Sequence, residues 1–137
     1  GLAGLRVGYS LSHPEVAQIL NRLRQPFVVA VAAEAAAAAA VDDEEHVRAT
    51  VELNDRGLKQ LTEGVRALGL KVLPSAGNFV LVDLGRPAMP VYEGLLRRAV
   101  IARPVGNYGL PNHLRVSTGT VEQNQRFLDA LAETLRA

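Results

Sequence analysis

Cationic chemistry in this chain is carried almost wholly by arginine: thirteen arginines stand against Lys59 and Lys71. A guanidinium is planar and always charged, and its donors form a fork that meets carboxylate or phosphate oxygens two at a time. Most of the arginines fall on predicted helix faces, Arg22, Arg48, Arg66, Arg97 and Arg126 among them, where solvation is the natural reading. Three differ. Arg6 lies in a glycine-rich stretch at the opening of a strand, Arg103 ends a strand ahead of a loop, and Arg115 is mid-strand between Leu114 and Val116. A guanidinium flanked by apolar neighbours is costly to bury without an anionic partner. Each of the three reads either as a contact to an anionic ligand or as half of an internal salt bridge, and spacing alone leaves both open.

Other chemistries are excluded by what the chain lacks. Without cysteine there is no disulfide, zinc finger or thiol nucleophile. His13, His46 and His113 are too few and too scattered to predict a metal site. The net charge is +1, basic residues are interleaved with acids, and no tryptophan offers a stacking platform, so no nucleic-acid partner is expected. No apolar run reaches the roughly 18 residues of a membrane span. The segment GLAGLRVGYS lacks the ordered charged, apolar and cleavage regions of a signal peptide. The expectation is no membrane association and a cytoplasmic location. With 48% hydrophobic residues the chain can offset its conformational entropy, and with only 4% aromatic its core must be aliphatic and alanine-rich. The chain opens without methionine in the middle of a structured motif, which reads as a piece of a larger protein or an engineered domain.

The elements that must position the arginines follow from periodicity. Period-two alternation over residues 5–10 predicts a short strand. Ser12 and Glu15 have the spacing of a capping box, Leu11 and Val16 that of a hydrophobic staple, and Val16, Ile19, Leu20 and Leu23 share one helical face up to Pro26. Residues 28–41 are nearly all alanine and valine, which favours a helix. It reads as tightly packed and buried, or as a segment facing a partner subunit or a cofactor. From an acidic start at residues 42–45, Val47, Val51, Leu58, Leu61, Val65 and Leu68 step in threes, fours and one seven towards Gly69, a left-handed cap. The remainder reads as a compact α/β unit, with strands at Lys71–Leu73, Phe79–Asp83, Val100–Arg103 and His113–Ser117. A helix is predicted over Pro90–Ala99, a loop over Pro104–Asn112, and a last helix capped by Thr120 with Phe127, Leu128, Leu131 and Leu135 on its apolar face.

Three motifs carry a family resemblance. Gly1-Leu2-Ala3-Gly4-Leu5-Arg6-Val7-Gly8-Tyr9 resembles the segment that follows the Schiff-base lysine in class I/II (fold type I) pyridoxal-phosphate aminotransferases. Ser75-Ala76-Gly77-Asn78-Phe79 and His113-Leu114-Arg115-Val116-Ser117-Thr118-Gly119-Thr120 are similar to later motifs of that family, in the same order. Arg103-Pro104 followed by Asn107-Tyr108-Gly109 most resembles the histidinol-phosphate branch. The resemblance implies the C-terminal portion of such an enzyme, of α/β (α+β) class. Residues 1–41 would be a remnant of the large cofactor-binding domain (strand plus helices), residues 42–69 a long connecting helix, and residues 70–137 a small domain with a short mixed sheet flanked by helices. It further implies that Arg6 clamps the phosphate of pyridoxal 5′-phosphate. Arg115 would bind the anionic end of the substrate, Arg103 would help Arg115 hold a substrate phosphate, and Asn78 would lie on the substrate side. An intact member would be a homodimer that moves an amino group between small anionic substrates, histidinol phosphate or an amino acid on one side and a 2-oxo acid on the other.

The chain also departs from that pattern. The family's lysine would precede Gly1; Lys59 falls on the long helix and Lys71 opens a strand, and neither sits in a matching motif. No catalytic residue or metal ligand is therefore assigned, and the chain alone is expected to bind no cofactor and to be inactive. After Gln25-Pro26-Phe27, valines and alanine stand where the family commonly has asparagine and other polar residues. Ala99 replaces a glycine often found before the Val-Ile strand, where a positive φ would favour Gly. Such departures suit an alternative, an engineered or autonomous non-catalytic α/β domain derived from the family.

Overall fold

Val80 and Val82 are buried while Phe79, Leu81 and Asp83 on the same strand are only half-buried, and this alternation makes the strand the hinge of a two-faced sheet. The computed structural model describes residues 1–136. These form two compact units, one spanning Gly1–Val47 and one running on from Arg48.

The second unit contains most of helix α3 (Glu44–Ala67), strands β1 (Lys71–Leu73) and β2 (Phe79–Asp83), helix α4 (Ala88–Arg97), strands β3 (Arg103–Val105) and β4 (Leu110–Ser117), and helix α5 (Val121–Arg136). Here α1 and α2 denote the earlier helices Pro14–Leu23 and Val31–Val41. The strand order is β1-β2-β4-β3 and every pairing is antiparallel. The fold class is α/β as expected, but the sheet is not mixed. β2 and β3 run in the same direction, joined through α4, yet β4 lies between them and pairs antiparallel with both. Short reversing connections on either side of the crossover enforce this.

Two further corrections concern β3 and its surroundings. The strand predicted at Val100–Arg103 lies instead at Arg103–Val105, and the predicted loop holds a 3-10 turn, Gly106–Tyr108, followed by the first residues of β4. Pro104 looks like a strand breaker in sequence. On an edge strand, however, its missing N–H need not serve the ladder. Helix α4 likewise begins at Ala88, two residues before Pro90, because in a first turn proline's absent donor is no loss.

The core lies on one face of the sheet. Val80, Val82, Leu114 and Val116 point to it, and Leu61 and Val65 of α3, Val91 and Leu95 of α4, and Phe127 and Leu131 of α5 close over them. Helices α4 and α5 pack too closely for a side chain at Gly94, where a Cβ would collide with Thr134. Thr120 and Gln123 cap α5 reciprocally: Gln123 N–H donates to Thr120 Oγ1 at 3.3 Å, and Thr120 N–H donates to Gln123 Oε1 at 3.0 Å. Both α3 and α4 end in the same six-to-one and five-to-two bond pattern. In α3 Leu70 N–H reaches Val65 and Gly69 N–H reaches Arg66; in α4 Val100 N–H reaches Leu95 and Ala99 N–H reaches Leu96. The left-handed residue is Gly69 in the first case and Ala99, at φ 55°, in the second.

The first unit departs further from the sequence reading. Residues 5–10 hold no strand; a 3-10 turn spans Ala3–Leu5, and the chain beyond it has no neighbouring edge with which to pair. Helix α1 starts at Pro14, and His13 rather than Ser12 is its cap, its Nδ1 accepting from Glu15 N–H at 3.4 Å. A proline pre-set for the first helical position moves the cap to the residue before it. The alanine-rich α2 is not buried: within it only Ala33 is removed from solvent. The apolar face of α1, Val16, Ile19, Leu20 and Leu23, is exposed.

Candidate anion-binding site

Arg103 and Arg115 are direct cross-strand partners in the β3–β4 pairing. Leu81 pairs with Arg115 and Leu73 with Leu81, so one row of side chains crosses all four strands, Leu73–Leu81–Arg115–Arg103. Its parity is opposite to that of Val80, Val82, Leu114 and Val116, which places the row on the face away from the core. Like charges directly opposed across a ladder repel. Among the described residues neither guanidinium has a carboxylate partner; the ion pair present there joins Arg98 to Glu133 at 2.9 Å. The salt-bridge reading of Arg103 and Arg115 is thus excluded within the described residues.

Both arginines are braced by aromatic rings. The Arg115 guanidinium lies 5.2 Å from the centroid of Phe79, two residues along from Leu81 on β2. That of Arg103 lies 6.0 Å from the Tyr108 ring, and its Nη2 donates to the Tyr108 hydroxyl at 3.4 Å. Such contacts hold a cation by the ring quadrupole without neutralising it. Both rings stand in the motifs that carry the resemblance, yet sequence alone gives them no role at the site, because only the strand register brings position 79 next to position 115. A cleft of about 300 Å³ opens beside the pair, lined by Arg103, Arg115, Thr118, Gly119, Gln123 and Phe127 among others. In the first turn of α5 the carboxyl of Glu122 is held below its ordinary value of 4.5, first by a bond from its own backbone N–H and then by the Thr120 hydroxyl.

Asn78 lies in the turn between β1 and β2. Its side chain is exposed, and its carbonyl accepts from Thr118 N–H at 2.9 Å, which ties the turn to the end of β4. Arg6 belongs to the first unit. It ends the 3-10 turn in a left-handed conformation, φ 53° and ψ 41°, with Nη1 donating to the Ala3 carbonyl at 3.0 Å. A non-glycine residue in that region carries strain of a kind often found at ligand contacts. Among the described residues no three histidine, aspartate or glutamate side chains gather as metal ligands, and no helix is long and apolar enough to cross a membrane.

The family model for aminotransferase class I and II matches residues 1–131. The chain belongs to this family. It is 58% identical over 135 residues to histidinol-phosphate aminotransferase 2 of Pseudomonas fluorescens (strain Pf0-1), covering 98% of this chain and 36% of the relative. The same figures hold against histidinol-phosphate aminotransferase 2 of Methylococcus capsulatus. The crystal structure of histidinol-phosphate aminotransferase from Sinorhizobium meliloti, in complex with pyridoxal-5′-phosphate, superposes with a TM-score of 0.91 at 31% identity, over 99% of this chain and 38% of that one. The chain therefore spans little more than a third of the length of these aminotransferases.

The family is pyridoxal-phosphate-dependent, and the residues present meet that cofactor only in part. The first unit supplies Arg6, a cation suited to a phosphate, but contains no lysine. Lys59 and Lys71 belong to the second unit, and neither lines the cleft beside Arg103 and Arg115. Among the described residues, then, no lysine shares the unit of Arg6.

Proposed function

We propose that the chain is the C-terminal part of a histidinol-phosphate-type aminotransferase, which transfers an amino group between histidinol phosphate or an amino acid and a 2-oxo acid. In this reading Arg103 and Arg115 hold the substrate's anionic group, with Asn78 on the same side, and Arg6 clamps the cofactor phosphate. Residues 1–41 belong to the large domain, 42–69 connect, and 70–137 form the small domain. The working protein is a cytoplasmic homodimer, and this chain by itself neither retains the cofactor nor transaminates, because the amine for the covalent step is supplied elsewhere. The observation that carries the proposal is the pair of arginines directly opposed in the β3–β4 register, braced on Phe79 and Tyr108 and with no carboxylate partner among the described residues. Such a pair is repulsive until an anion is placed on it.

The test is a titration of the 15N-labelled chain with inorganic phosphate. Shifts concentrated at residues 103 and 115–119, weakened at least tenfold by Arg115→Ala, are expected. Equal affinity in the variant would remove the arginines from any substrate role. A second reading, a non-catalytic α/β domain that keeps the family's fold, is favoured by one feature: the second unit carries a complete apolar core of its own.

A further inference from the structure

The apolar stripe of α3 skips one step, from Val51 to Leu58, and the half-buried residue standing in the gap is Asn54. Both ends of its amide group are engaged. Nδ2 donates to the Gly77 carbonyl at 3.2 Å, and Oδ1 accepts from Thr118 Oγ1 at 2.9 Å. The Thr118 hydroxyl also lies 3.2 Å from the Asn78 carbonyl, the same oxygen that accepts the Thr118 N–H. One side chain on α3 thus joins the turn that carries Asn78 to the segment immediately after Arg115.

The next positions on the same helix face serve the same segment. At Gly57 a Cβ would lie 3.1 Å from Thr118 Cβ and 3.2 Å from Asn124 Nδ2, so the helix backbone runs close against residue 118 and a side chain there would require its neighbours to give way. Glycine weakens a helix interior more than any residue except proline, and close approach is the compensating reason for it here. Gln60, a turn further, accepts from Asn124 Nδ2 at 3.1 Å. Asn124 is buried and brackets the Gly119 peptide, accepting from its N–H at 2.9 Å and donating to its carbonyl at 3.2 Å. Spacing of three residues keeps 54, 57 and 60 along one side of the helix, and all three engage the exit of β4.

We propose that Asn54 is a positioning residue for the anion site: it locks the Asn78 turn and the Arg115 strand end at a fixed separation, so that both face one bound group. The inference rests on the reading of Arg103 and Arg115 as anion ligands given above. Only a primary amide meets both partners, since it carries a donor and an acceptor in one plane. A leucine or valine continuing the stripe would leave the Gly77 carbonyl and the Thr118 hydroxyl without these partners.

The experiment uses the whole 137-residue chain, inorganic phosphate as the probe, and residue-resolved amide hydrogen exchange as an independent readout. Asn54→Ala is expected to speed exchange of the Thr118 amide at least tenfold, to leave core amides of α5 such as Leu131 unchanged, and to weaken phosphate binding severalfold. Asn54→Asp keeps the acceptor for Thr118 and loses the donor to Gly77, so it should hold Thr118 protection while shifting the resonances of residues 76–78. Thr118→Val removes the other end of the clamp and should reproduce the phosphate effect, which decides the matter if Asn54→Ala does not fold. Unchanged Thr118 exchange in Asn54→Ala, or equal acceleration of every amide, would overturn the proposal, as would undiminished phosphate binding by Thr118→Val. If phosphate binding is indifferent to Arg115→Ala, the arginine reading falls, and the clamp stands or falls on Thr118 exchange alone.

Discussion

Ala99 and Gly69 occupy equivalent places at the ends of two helices, both left-handed and both closing the same pair of hydrogen bonds, yet only one of them is glycine. An L-residue in the left-handed region costs roughly 1–2 kcal/mol. Glycine returns part of that through its greater freedom in the unfolded chain. Ala99→Gly should therefore stabilise the second unit by about 0.5–1 kcal/mol, read as a higher denaturant midpoint with unchanged slope. A lower midpoint would show that the Ala99 methyl makes a contact outweighing its backbone strain. The position was legible beforehand, because a glycine expected before the Val-Ile stretch was missing. The pairing of Arg103 with Arg115 was not, since both residues read separately as strand arginines and nothing local says that their strands are neighbours.

Among the elements, the helices of the second unit owe their places to small residues as much as to apolar stripes. Gly94 faces Thr134, whose hydroxyl donates to the Ala130 carbonyl at 2.7 Å, which fixes its rotamer and leaves its methyl group against α4. Alanine at position 94 would gain roughly 1 kcal/mol in helix propensity. Overpacking costs about 1–3 kcal/mol and should win. Gly94→Ala is thus expected to lower stability by up to about 2 kcal/mol, and Thr134→Ser, which removes the methyl and keeps the hydroxyl, should restore most of the loss in the double variant. Equilibrium unfolding of the four proteins in this cycle checks it; additive effects would mean that the two residues do not press on each other. Stripe periodicity located α3 and α5 well in the sequence. It misplaced β3 by about three residues, ending the strand at Arg103 and putting Pro104 in the loop, whereas an edge strand tolerates the proline.

For the molecule as a whole, the two units differ in how they bury apolar surface. The second has a continuous core, whereas in the first Ala33 is buried while Leu11, Leu23, Phe27 and Val31 are exposed. An amphipathic helix such as α1 with its apolar face open calls for cover, and these aminotransferase relatives are nearly three times as long as this chain. Under the proposed function, α1 amides of the isolated chain should exchange freely while those of β2, β4 and α5 stay protected. Mixing with a lysine-bearing fragment of a relative should slow exchange in α1 and generate the visible absorbance of bound pyridoxal phosphate. If neither readout moves and the chain alone melts cooperatively, the non-catalytic reading is the correct one.

What the amino-acid order determined by itself was the class of fold, the helix faces, the left-handed ends and the chemistry available: guanidinium groups suited to anions, and no amine in a matching motif. These are local properties, written in propensity, periodicity and residue type within a few positions of each other. Strand order, the antiparallel register that opposes Arg103 to Arg115, the ring beneath Arg115 and the reach of Asn54 to Gly77 and Thr118 were decided only by tertiary structure. Each joins residues from separate elements, Asn54 and Thr118 being 64 positions apart, and contacts at that range are chosen by how the whole core packs.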